Sequence, residues 1–397
     1  MQAWRAAMAE LHCHHLRLPG EPGFWCFRLD EQGMVRDVRP EPSPAVESRQ
    51  PHHWDWQGDW LSPAAVDLQI NGLQGLWFGH LEAEQLDSLR QALVWLRQQG
   101  VDAVCPTLIT GLPARLRRSL VLLRRVRQQQ GGAEARLLGA HLEGPFLAVN
   151  KRGAHPRRHV QSLTLAHLKQ LMDGFSTEDV AMVTMAPELD PRHEALDWLV
   201  EQGIVVSLGH TEANQMQATA AFAAGARLLT HTFNAMPPLH HRAPGPIAAA
   251  AMASKPVFLG LIADGVHVDP AMAVLLTRMA PGRVVLVSDA LAPYGLAEGH
   301  YPWGRRWITV RQGTCRLEGG TMAGTTVGIL EGACRLARWS QQPEEAILAA
   351  TVRPRACLGH GATVVQHLQG TALSRLLRWR WQPQATRLGW ATPQPRS

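Results

Sequence analysis

The chain has 397 residues, of which 46% are apolar and 18% are charged. This balance excludes a disordered or fibrous protein, and the length allows one large domain together with a small one. The net charge of +6 comes almost wholly from arginine, because lysine occurs only at positions 151, 169 and 255. A basic chain of this kind suits an acidic small-molecule substrate.

The sequence carries no pattern typical of export or membrane insertion. No apolar run approaches the roughly 20 residues that a membrane span needs. Arg5 and Glu10 interrupt the apolar residues at the N-terminus, so a signal peptide is not expected. The six cysteines, at positions 13, 26, 105, 315, 334 and 357, form no C-x-x-C pair. This spacing is typical of reduced thiols, and we predict a cytoplasmic protein without a membrane partner.

Residues 1–60 are predicted to form the N-terminal part of a small β domain. Residues 23–29 and 34–38 flank a polar turn and indicate a hairpin. Residues 40–51 are rich in proline and polar side chains, which favours a loop. The histidines at 12, 14 and 15 are more typical of an exposed segment than of a metal site, because no second ligand group follows at zinc-finger spacing.

Apolar runs typical of strands begin near positions 66, 101, 136, 180, 204, 227, 257 and 284. Segments with helical periodicity lie between most of them, for example at residues 81–99 and 163–172. Eight strands that alternate with helices predict an α/β fold, a (β/α)8 TIM-like barrel, over residues 61–355. The run at 180–186 is the weakest of the eight.

The densest basic stretch lies at residues 115–127. Leu116, Leu120 and Leu123 recur there at helical spacing, so the arginines occupy the opposite face. This pattern favours an outer helix of the barrel over a nucleic-acid-binding surface, in which aromatic residues would lie between the basic ones. We therefore expect no nucleic-acid partner.

The segment after the eighth run is expected to complete the molecule. Residues 303–317 predict another hairpin, and two helices are expected near 327–339 and 343–352. Residues 356–397 are assigned to the C-terminal part of the small β domain, because the alternating run Arg378-Trp-Arg-Trp381 is typical of a strand. We expect this strand to pair with the N-terminal hairpin, so that both ends of the chain build the small β-rich domain.

Polar side chains cluster where the apolar runs end. Glu143 ends the third run, His210 the fifth, His231 the sixth and Asp289 the eighth. In (β/α)8 barrels the active site lies at the C-terminal ends of the strands. One glutamate and two histidines, each at the end of its own strand, form a ligand set suited to a catalytic divalent metal.

Nine short motifs follow one another along the barrel. They are Val66-Asp-Leu-Gln-Ile-Asn-Gly72, His141-Leu-Glu-Gly-Pro-Phe146, Lys151-Arg-Gly-Ala-His155, Gly209-His-Thr211, Thr230-His-Thr-Phe-Asn-Ala-Met236, Arg242-Ala-Pro-Gly245, Ala263-Asp-Gly-Val-His267, Ser288-Asp-Ala290 and Met322-Ala-Gly324. In this order and spacing the chain resembles the N-acetylglucosamine-6-phosphate deacetylases, a branch of the amidohydrolase superfamily. The resemblance covers roughly residues 60–360.

The resemblance implies a hydrolase with one metal ion. Glu143, His210 and His231 match the family's metal ligands. Many members of the superfamily hold two metals through His-x-His on the first strand, where this chain has Gln69 and Asn71. Amides are poorer ligands for zinc than imidazole, so we expect one divalent ion per chain, zinc or iron.

The resemblance also implies the groups that carry out the reaction. Asp289 matches the acid/base that takes a proton from the attacking water and returns one to the departing amine. His155 matches the residue that stabilises the oxyanion at the acetyl carbonyl. A histidine on the surface of a loop is the alternative interpretation of His155.

The substrate-binding residues that the resemblance implies come from several loops. Arg242 offers a charged fork for a phosphate, and the family commonly takes this arginine from a neighbouring subunit, which implies a homodimer. His267 matches a residue that binds sugar hydroxyl or phosphate oxygens, and Met322–Gly324 a loop that closes over the ligand. The full set is Ala154, His155, Asn234, Ala235, Arg242, His267, Met322, Ala323 and Gly324.

The implied activity is the deacetylation of N-acetylglucosamine 6-phosphate to glucosamine 6-phosphate and acetate. Two alternatives stay open at this point. One is the same chemistry on another N-acetyl amino sugar or its phosphate, such as the galactosamine epimer. The other is a non-catalytic barrel that binds sugar phosphates. Asp289 beside three metal ligands favours an enzyme, because binding alone needs no proton shuttle.

Overall fold

The computed structural model describes residues 11–41 and 52–394. Arg5, Glu10 and most of the predicted loop at 40–51 lie outside these residues. No helix in the described part of the chain is both long and apolar enough to cross a bilayer.

The N-terminal residues build most of a small β region. Its strands are β1 (Leu11–Leu16), β2 (Trp25–Leu29), β3 (Val35–Pro40), β4 (His53–Asp55) and β5 (Trp60–Pro63). The predicted hairpin is confirmed, because β2 and β3 pair antiparallel with Leu29 opposite Val35. Strand β1 pairs with β2 on one side and with β4 on the other, which completes a four-stranded sheet.

A barrel of eight parallel strands follows, as predicted. The strands from β6 to β16 are β6 (Ala65–Ile70), β7 (Gly72–Leu73), β8 (Leu76–Trp77), β9 (Val101–Ile109), β10 (Arg136–Leu137), β11 (Ala140–Glu143), β12 (Val180–Met185), β13 (Val205–Leu208), β14 (Leu228–Leu229), β15 (Phe258–Leu261) and β16 (Val284–Leu286). Strands β6, β9 and β11 to β16 form the barrel, while β10 is a short addition to β9 and β7–β8 a small hairpin. The barrel closes where the backbone N–H of Asp289 donates to the carbonyl of Gln69 at 2.8 Å. The weak run at 180–186 forms the regular strand β12. Four of the six residues of this strand pair with β13.

Most of the helices surround the barrel and pack their apolar faces on it, whereas the last one packs Val364 and Leu368 into the small β region. They are α1 (Leu86–Gln98), α2 (Pro113–Gln128), α3 (Leu165–Met172), α4 (Glu194–Glu201), α5 (Gln215–Ala223), α6 (Gly245–Met252), α7 (Pro270–Met279), α8 (Ile329–Ser340), α9 (Pro343–Cys357) and α10 (Val364–Leu368). On α2, Leu116, Leu120 and Leu123 are buried, as the spacing predicts. Arg124 and Arg127 on this helix form ion pairs with Asp179. These arginines therefore anchor α2 to the next βα unit.

The remaining strands form two further sheets. They are β17 (Gly299–Trp303), β18 (Arg306–Arg311), β19 (Thr314–Leu317), β20 (Met322–Thr325), β21 (Leu376–Gln382) and β22 (Arg387–Ala391). The predicted hairpin at 303–317 is part of the meander β17–β20. The partner predicted for the Arg378–Trp381 run is wrong, because β21 pairs with β5 and β22 rather than with the β2–β3 hairpin. Trp379 lies opposite Trp60 in this pairing, and apolar cross-strand pairs of this kind stabilise adjacent strands.

Both ends of the chain nevertheless share one small apolar core. Phe27, Trp56 and Leu61 from the N-terminal segment pack in the same cluster as Leu368 and Leu376 from the C-terminal segment. A small β-rich domain built from the two ends is therefore present beside the barrel. The boundaries proposed for it, residues 1–60 and 356–397 around a barrel at 61–355, stay predictions.

Candidate active site

The C-terminal ends of four barrel strands bring Glu143, His210, His231 and Asp289 together. Glu143 is the last residue of β11, and the other three follow β13, β14 and β16 within three residues. All four side chains are buried, with Asp289 the most exposed at 9%. Because parallel strands end on the same face of a barrel, residues far apart in the sequence meet at one point.

Ligand atoms from three of these side chains, Glu143, His210 and His231, lie close to one another. Oε1 of Glu143 lies 3.1 Å from Nε2 of His210 and 3.0 Å from Nε2 of His231, and the two nitrogens lie 3.1 Å apart. Nδ1 of His210 lies 2.8 Å from the carbonyl of Lys151, which can only accept a hydrogen bond. The neutral His210 ring therefore carries its proton on Nδ1, and its Nε2 lone pair points at the carboxylate. Two electron-pair donors that face each other fit a cation between them.

His155 lies beside this group. Its Nε2 is 3.8 Å from Oε2 of Glu143, and the ligand atoms of Glu143, His155 and His210 all lie within 4.8 Å of one another. These three buried residues form a group able to hold a metal ion. Burial and the neighbouring His210 lower the pKa of His155 to about 3, so this imidazole is neutral at physiological pH.

The backbone at the strand ends adopts conformations that non-glycine residues rarely take. The φ angles of His210, His231 and Asp289 are 49°, 26° and 47°, all in the left-handed region. Such conformations cost of order 1–3 kcal/mol each and persist only where the surroundings enforce them. The fold therefore accepts strain in order to direct three polar side chains toward the same point.

Gln69 and Asn71 hold the carboxylate of Asp289. The amide of Asn71 donates to Oδ1 of Asp289 at 2.7 Å, and the amide of Gln69 donates to the same oxygen at 3.3 Å. Gln69 also donates to Oε1 of Glu143 at 3.1 Å. Together these two amides hold both carboxylates by direct hydrogen bonds. Oδ2 of Asp289 is the oxygen that they leave unused.

The two carboxylates differ in how easily they lose a proton. Burial and the charge of Glu143 raise the pKa of Asp289 to about 8. Burial would also raise the pKa of Glu143, but the imidazoles of His210 and His231 beside its carboxylate lower it well below its usual value. Two neighbouring carboxyl groups with pKa values driven apart are typical of acid/base chemistry.

The cavity above these groups has a volume of about 290 Å³. It is lined by most of the residues expected to contact a substrate, namely Ala154, His155, Asn234, Ala235, His267, Met322 and Ala323. Two expected residues do not line it. Gly324 lies behind the wall, where a Cβ would come within 2.5 Å of the Asp289 carbonyl. Arg242 is exposed on the loop between β14 and α6 and does not reach the cavity of its own chain.

His267 is oriented by a carboxylate. Its Nδ1 lies 2.7 Å from Oδ2 of Asp264, and the backbone N–H groups of Val266 and His267 donate to Oδ1 of the same side chain. The Nδ1–H of His267 therefore donates to Asp264, and Nε2 is left for the cavity. Burial alone would raise the pKa of Asp264, but the bond to His267 helps to keep it below its usual value.

The sequence patterns did not predict the apolar residues that line the cavity. Ile109, Ile262, Leu291 and Trp303 line it together with the polar residues. Trp303 comes from the meander after the barrel, and the guanidinium of Arg306 stacks on it at 4.5 Å. An isolated tryptophan in a strand carries no sequence signal for such a position, because only the packing of the meander over the barrel brings it there.

A barrel with acidic and imidazole side chains at its C-terminal strand ends is the architecture of the metal-dependent amidohydrolases. No family model matches the chain. Individual proteins do match. The chain is 34% identical to the N-acetylglucosamine-6-phosphate deacetylase of Danio rerio over 81% of its own length and 79% of that protein. It is 32% identical to the N-acetylgalactosamine-6-phosphate deacetylase of Escherichia coli O157:H7 over 82% and 83% of the two chains.

The structure agrees with these matches. It superimposes with a TM-score of 0.79 on a mutant N-acetyl-D-glucosamine-6-phosphate deacetylase from Mycobacterium smegmatis, solved in complex with N-acetyl-D-glucosamine-6-phosphate. That comparison has 28% sequence identity and covers 96% of this chain and 97% of the other. The chain belongs to the N-acetylglucosamine-6-phosphate deacetylase family.

Proposed function

We propose that the chain removes the acetyl group from N-acetylglucosamine 6-phosphate and releases glucosamine 6-phosphate and acetate. The observation that carries this proposal is the position of Asp289. A buried carboxyl group with a pKa of about 8 lies beside Glu143 and the two histidines at the floor of a cavity. Such a group is suited to accept and return a proton during amide hydrolysis. The family to which the chain belongs indicates the substrate class, the phosphorylated N-acetyl amino sugars.

We further propose that Glu143, His210 and His231 hold one divalent ion, zinc or iron. Their three ligand atoms lie 3.0–3.1 Å apart, close enough for one ion to be held by all three. When bound, the ion supplies Lewis-acid activation of a water and of the acetyl carbonyl. We leave His155 out of this set, because the backbone N–H of Thr110 donates to its Nδ1 and so places the proton of the neutral ring on Nε2. Gln69 and Asn71 are engaged with the carboxylates, which supports one ion rather than two.

In this proposal Asp289 transfers the proton through Oδ2. Oδ1 is held by the amides of Asn71 and Gln69, which fixes the orientation of the carboxylate. Asp289 first takes a proton from the water that attacks the acetyl carbon. As the C–N bond breaks, it gives that proton to the amine nitrogen, because an amine cannot leave as an anion. The neutral His155 donates its Nε2–H to the carbonyl oxygen as negative charge develops there.

The phosphate is proposed to bind at the rim of the cavity. Asn234 and Ala235 line it, and Ala235 has a φ of 52° that turns the local backbone. His267 presents Nε2 to the same space. Arg242 is proposed to complete the phosphate site from a second subunit, since it does not reach the cavity of its own chain. Met322 and Ala323 form the edge of the cavity, and with Gly324 they are proposed to close over the bound sugar.

The homodimer stays a proposal, and exposed apolar side chains on α5, α6, α7 and their adjoining loops are candidates for its interface. They lie on either side of Arg242 in the sequence. They are Met216, Leu239, Met252, Val266, Met272 and Leu275, with exposures from 36% to 80%. A cytoplasmic location stays a prediction.

Acetate release from a panel of N-acetyl amino sugars tests the activity. The panel pairs the glucosamine and galactosamine epimers, each with and without the 6-phosphate. The proposal expects the highest kcat/KM on N-acetylglucosamine 6-phosphate. Higher kcat/KM on the galactosamine epimer would support the second candidate, which the similarity to the Escherichia coli galactosamine enzyme favours. Binding of the sugar phosphate without acetate release would instead indicate a non-catalytic barrel.

The Arg242→Ala variant tests the phosphate site. Loss of one charge-assisted contact predicts a fall of roughly 10- to 1000-fold in kcat/KM on the phosphorylated sugar and little change on the unphosphorylated one. An equal fall on both sugars would mean that Arg242 has a structural role.

Mixed dimers test whether Arg242 acts across subunits. Arg242→Ala chains and Asp289→Asn chains are each impaired, but a dimer with one of each has one complete site if the arginine comes from the partner. After random exchange, about a quarter of the parental activity per chain is then expected. Activity that stays at the sum of the two separate variants would place Arg242 in the site of its own chain or outside both.

A further inference from the structure

The ring of His155 is held by a residue that does not line the cavity. The backbone N–H of Thr110 donates to Nδ1 of His155 at 3.3 Å, and the hydroxyl of Thr110 lies 2.9 Å from the same nitrogen. Both residues are buried, with 2% and 5% of their surfaces exposed. Thr110 follows the last residue of β9, whereas His155 lies on the loop after β11, so only the fold brings them together.

These two contacts determine which nitrogen of His155 carries the proton. A backbone N–H can only donate, so Nδ1 must present a lone pair to it. The Thr110 hydroxyl reaches the carbonyl of Glu143 at 3.4 Å, but its contact with Nδ1 is shorter. Because the backbone N–H leaves Nδ1 without a proton, its 2.9 Å contact with the hydroxyl requires the hydroxyl to donate to Nδ1. In the neutral ring the single proton lies on Nε2, on the side of the cavity.

The surrounding backbone makes room for this arrangement. Gly144 has a φ of 84°, and a Cβ at that position would come within 2.3 Å of the Thr110 hydroxyl oxygen. The guanidinium of Arg306 donates to the carbonyl of Ala154 at 2.7 Å, which fixes the backbone immediately before His155. The backbone and the ring of His155 are thus held by separate contacts.

We propose that Thr110 is a positioning residue that keeps His155 in the tautomer with its proton on Nε2, ready to donate to the substrate carbonyl. The inference rests on the proposed deacetylase function for its catalytic consequence. Without the hydroxyl, the ring loses one of the two contacts that select this tautomer and hold its plane. Rotation of the ring, or transfer of the proton to Nδ1, would then present a lone pair to the developing oxyanion instead of a donor.

Two variants separate the hydroxyl from the bulk of the side chain. Thr110→Val keeps the shape and removes the hydroxyl, while Thr110→Ser keeps the hydroxyl and removes the methyl group. We expect kcat on N-acetylglucosamine 6-phosphate to fall about 10-fold in Thr110→Val, as befits one buried hydrogen bond, with KM within about 2-fold. Thr110→Ser should stay within about 3-fold of the parent in kcat. Metal content should be equal in all three proteins.

Several outcomes would overturn the proposal. Parental kcat in Thr110→Val would show that the hydroxyl has no role. A Thr110→Ser variant as slow as Thr110→Val would show that the methyl group packs the site. Loss of metal in Thr110→Val would mean that the residue supports the ligand set. If Thr110→Val fails to fold, Thr110→Ala provides the same comparison with a smaller side chain.

The tautomer itself is measured without turnover. In the full-length protein with 15N-labelled histidine, the nitrogen chemical shifts distinguish a protonated from a bare ring nitrogen, and His155→Gln identifies the signals. We expect Nε2 to be protonated and Nδ1 to be bare in the parent, with the population shifting in Thr110→Val. Protonated Nδ1 in the parent would overturn the proposal. A parent that shows the expected tautomer but releases no acetate would refute the deacetylase function and leave the role of Thr110 in holding the ring intact.

Discussion

The two ends of the barrel both bury carboxylates, but they surround them differently. At the N-terminal end, Asp102 forms ion pairs with three arginines, at 3.1 Å with Arg97, 2.6 Å with Arg136 and 3.1 Å with Arg355. At the C-terminal end, Asp289 receives only two neutral amides from Gln69 and Asn71. The buried carboxylate at the N-terminal end therefore has oppositely charged partners, whereas the hydrogen-bond donors to the carboxylate at the C-terminal end are neutral.

The pKa values of the two aspartates show the consequence. Burial alone would raise the pKa of Asp102, but Arg136, Arg355 and Arg97 lower it below its usual value. Burial and Glu143 raise the pKa of Asp289 to about 8. The charged form of Asp102 therefore stabilises the fold, whereas the charged form of Asp289 destabilises it. Reactivity is therefore concentrated at the end of the barrel where stability is given up.

The largest effect is expected from breaking the proposed ligand set. His231→Ala removes one of three ligand atoms, so the protein should lose its metal, and kcat/KM should fall by at least ~10³-fold. Metal analysis and acetate release measure the two quantities on one preparation. His360→Ala, which changes an exposed histidine, serves as the matched control. Full metal content in His231→Ala would exclude His231 as a ligand.

Asp289→Asn should separate activity from stability. The amide keeps the size of the side chain but cannot accept and return a proton, so kcat should fall by at least ~10²-fold with metal retained. Because folding raises the pKa of this acid from 3.8 to about 8, its removal should also increase the free energy of unfolding of the metal-free protein from about pH 4 upward, with the full gain above about pH 8. Chemical denaturation with a chelator present measures this. Loss of metal in the variant would instead make Asp289 a ligand, and near-parental turnover would refute its proposed role.

Asp102→Asn should have the opposite pattern. The variant leaves three arginines around a neutral side chain, so the free energy of unfolding should fall by about 3 kcal/mol while kcat and metal content stay unchanged. The measurement is urea denaturation beside steady-state kinetics. A large loss of kcat at unchanged metal content would show that the two ends of the barrel are coupled.

The pH dependence of stability provides an independent check on Asp102. Because its folded pKa lies below the unfolded value near 3.8, its contribution is present above that pH and is lost as the pH falls through the folded pKa. The parent should therefore lose stability more steeply than Asp102→Asn below about pH 4. Equal slopes in the two proteins would argue against a depressed pKa.

The smallest effect is expected from the most exposed arginine of this cluster. The side chain of Arg136 is 52% exposed, whereas that of Arg355 is 10% exposed. Exposed ion pairs contribute little, so Arg136→Gln should lower the free energy of unfolding by less than ~1 kcal/mol. Arg355→Gln should cost more, because it also removes a hydrogen bond to the carbonyl of Ala64. Equal losses of the free energy of unfolding in the two variants would show that the exposure of an arginine does not determine how much it stabilises the fold.

Sequence periodicity was sufficient to predict the barrel, because the apolar residues of each strand indicate by themselves that the strand is buried. Strand β9 is buried along its whole length, and six of its nine residues are Val, Ala, Cys, Leu or Ile. The same logic failed for the Arg378–Trp381 run. Alternation showed that this segment is a strand, but it carries no information on the partner strand, which is decided by the tertiary pairing that places Trp379 opposite Trp60.

Local sequence patterns likewise predict only part of the candidate site. The strand-end positions of Glu143, His210, His231 and Asp289 follow from local patterns, since a polar residue that ends an apolar run marks the rim of a barrel. Their positive φ angles, and the tautomer of His155, have no local signature. They depend on contacts between segments that are far apart in the sequence, such as that of Thr110 with His155.

The order of apolar runs and polar strand ends was therefore enough to indicate a (β/α)8 hydrolase and the residues at its mouth, because burial and periodicity are properties of short segments. Folding in three dimensions placed Trp303 in the cavity wall, aligned both amides on Asp289 and left Arg242 outside the cavity of its own chain. The physical reason is that hydrogen-bond geometry and the distance between charges depend on how segments pack. That packing is set by the whole core and not by any one stretch of residues.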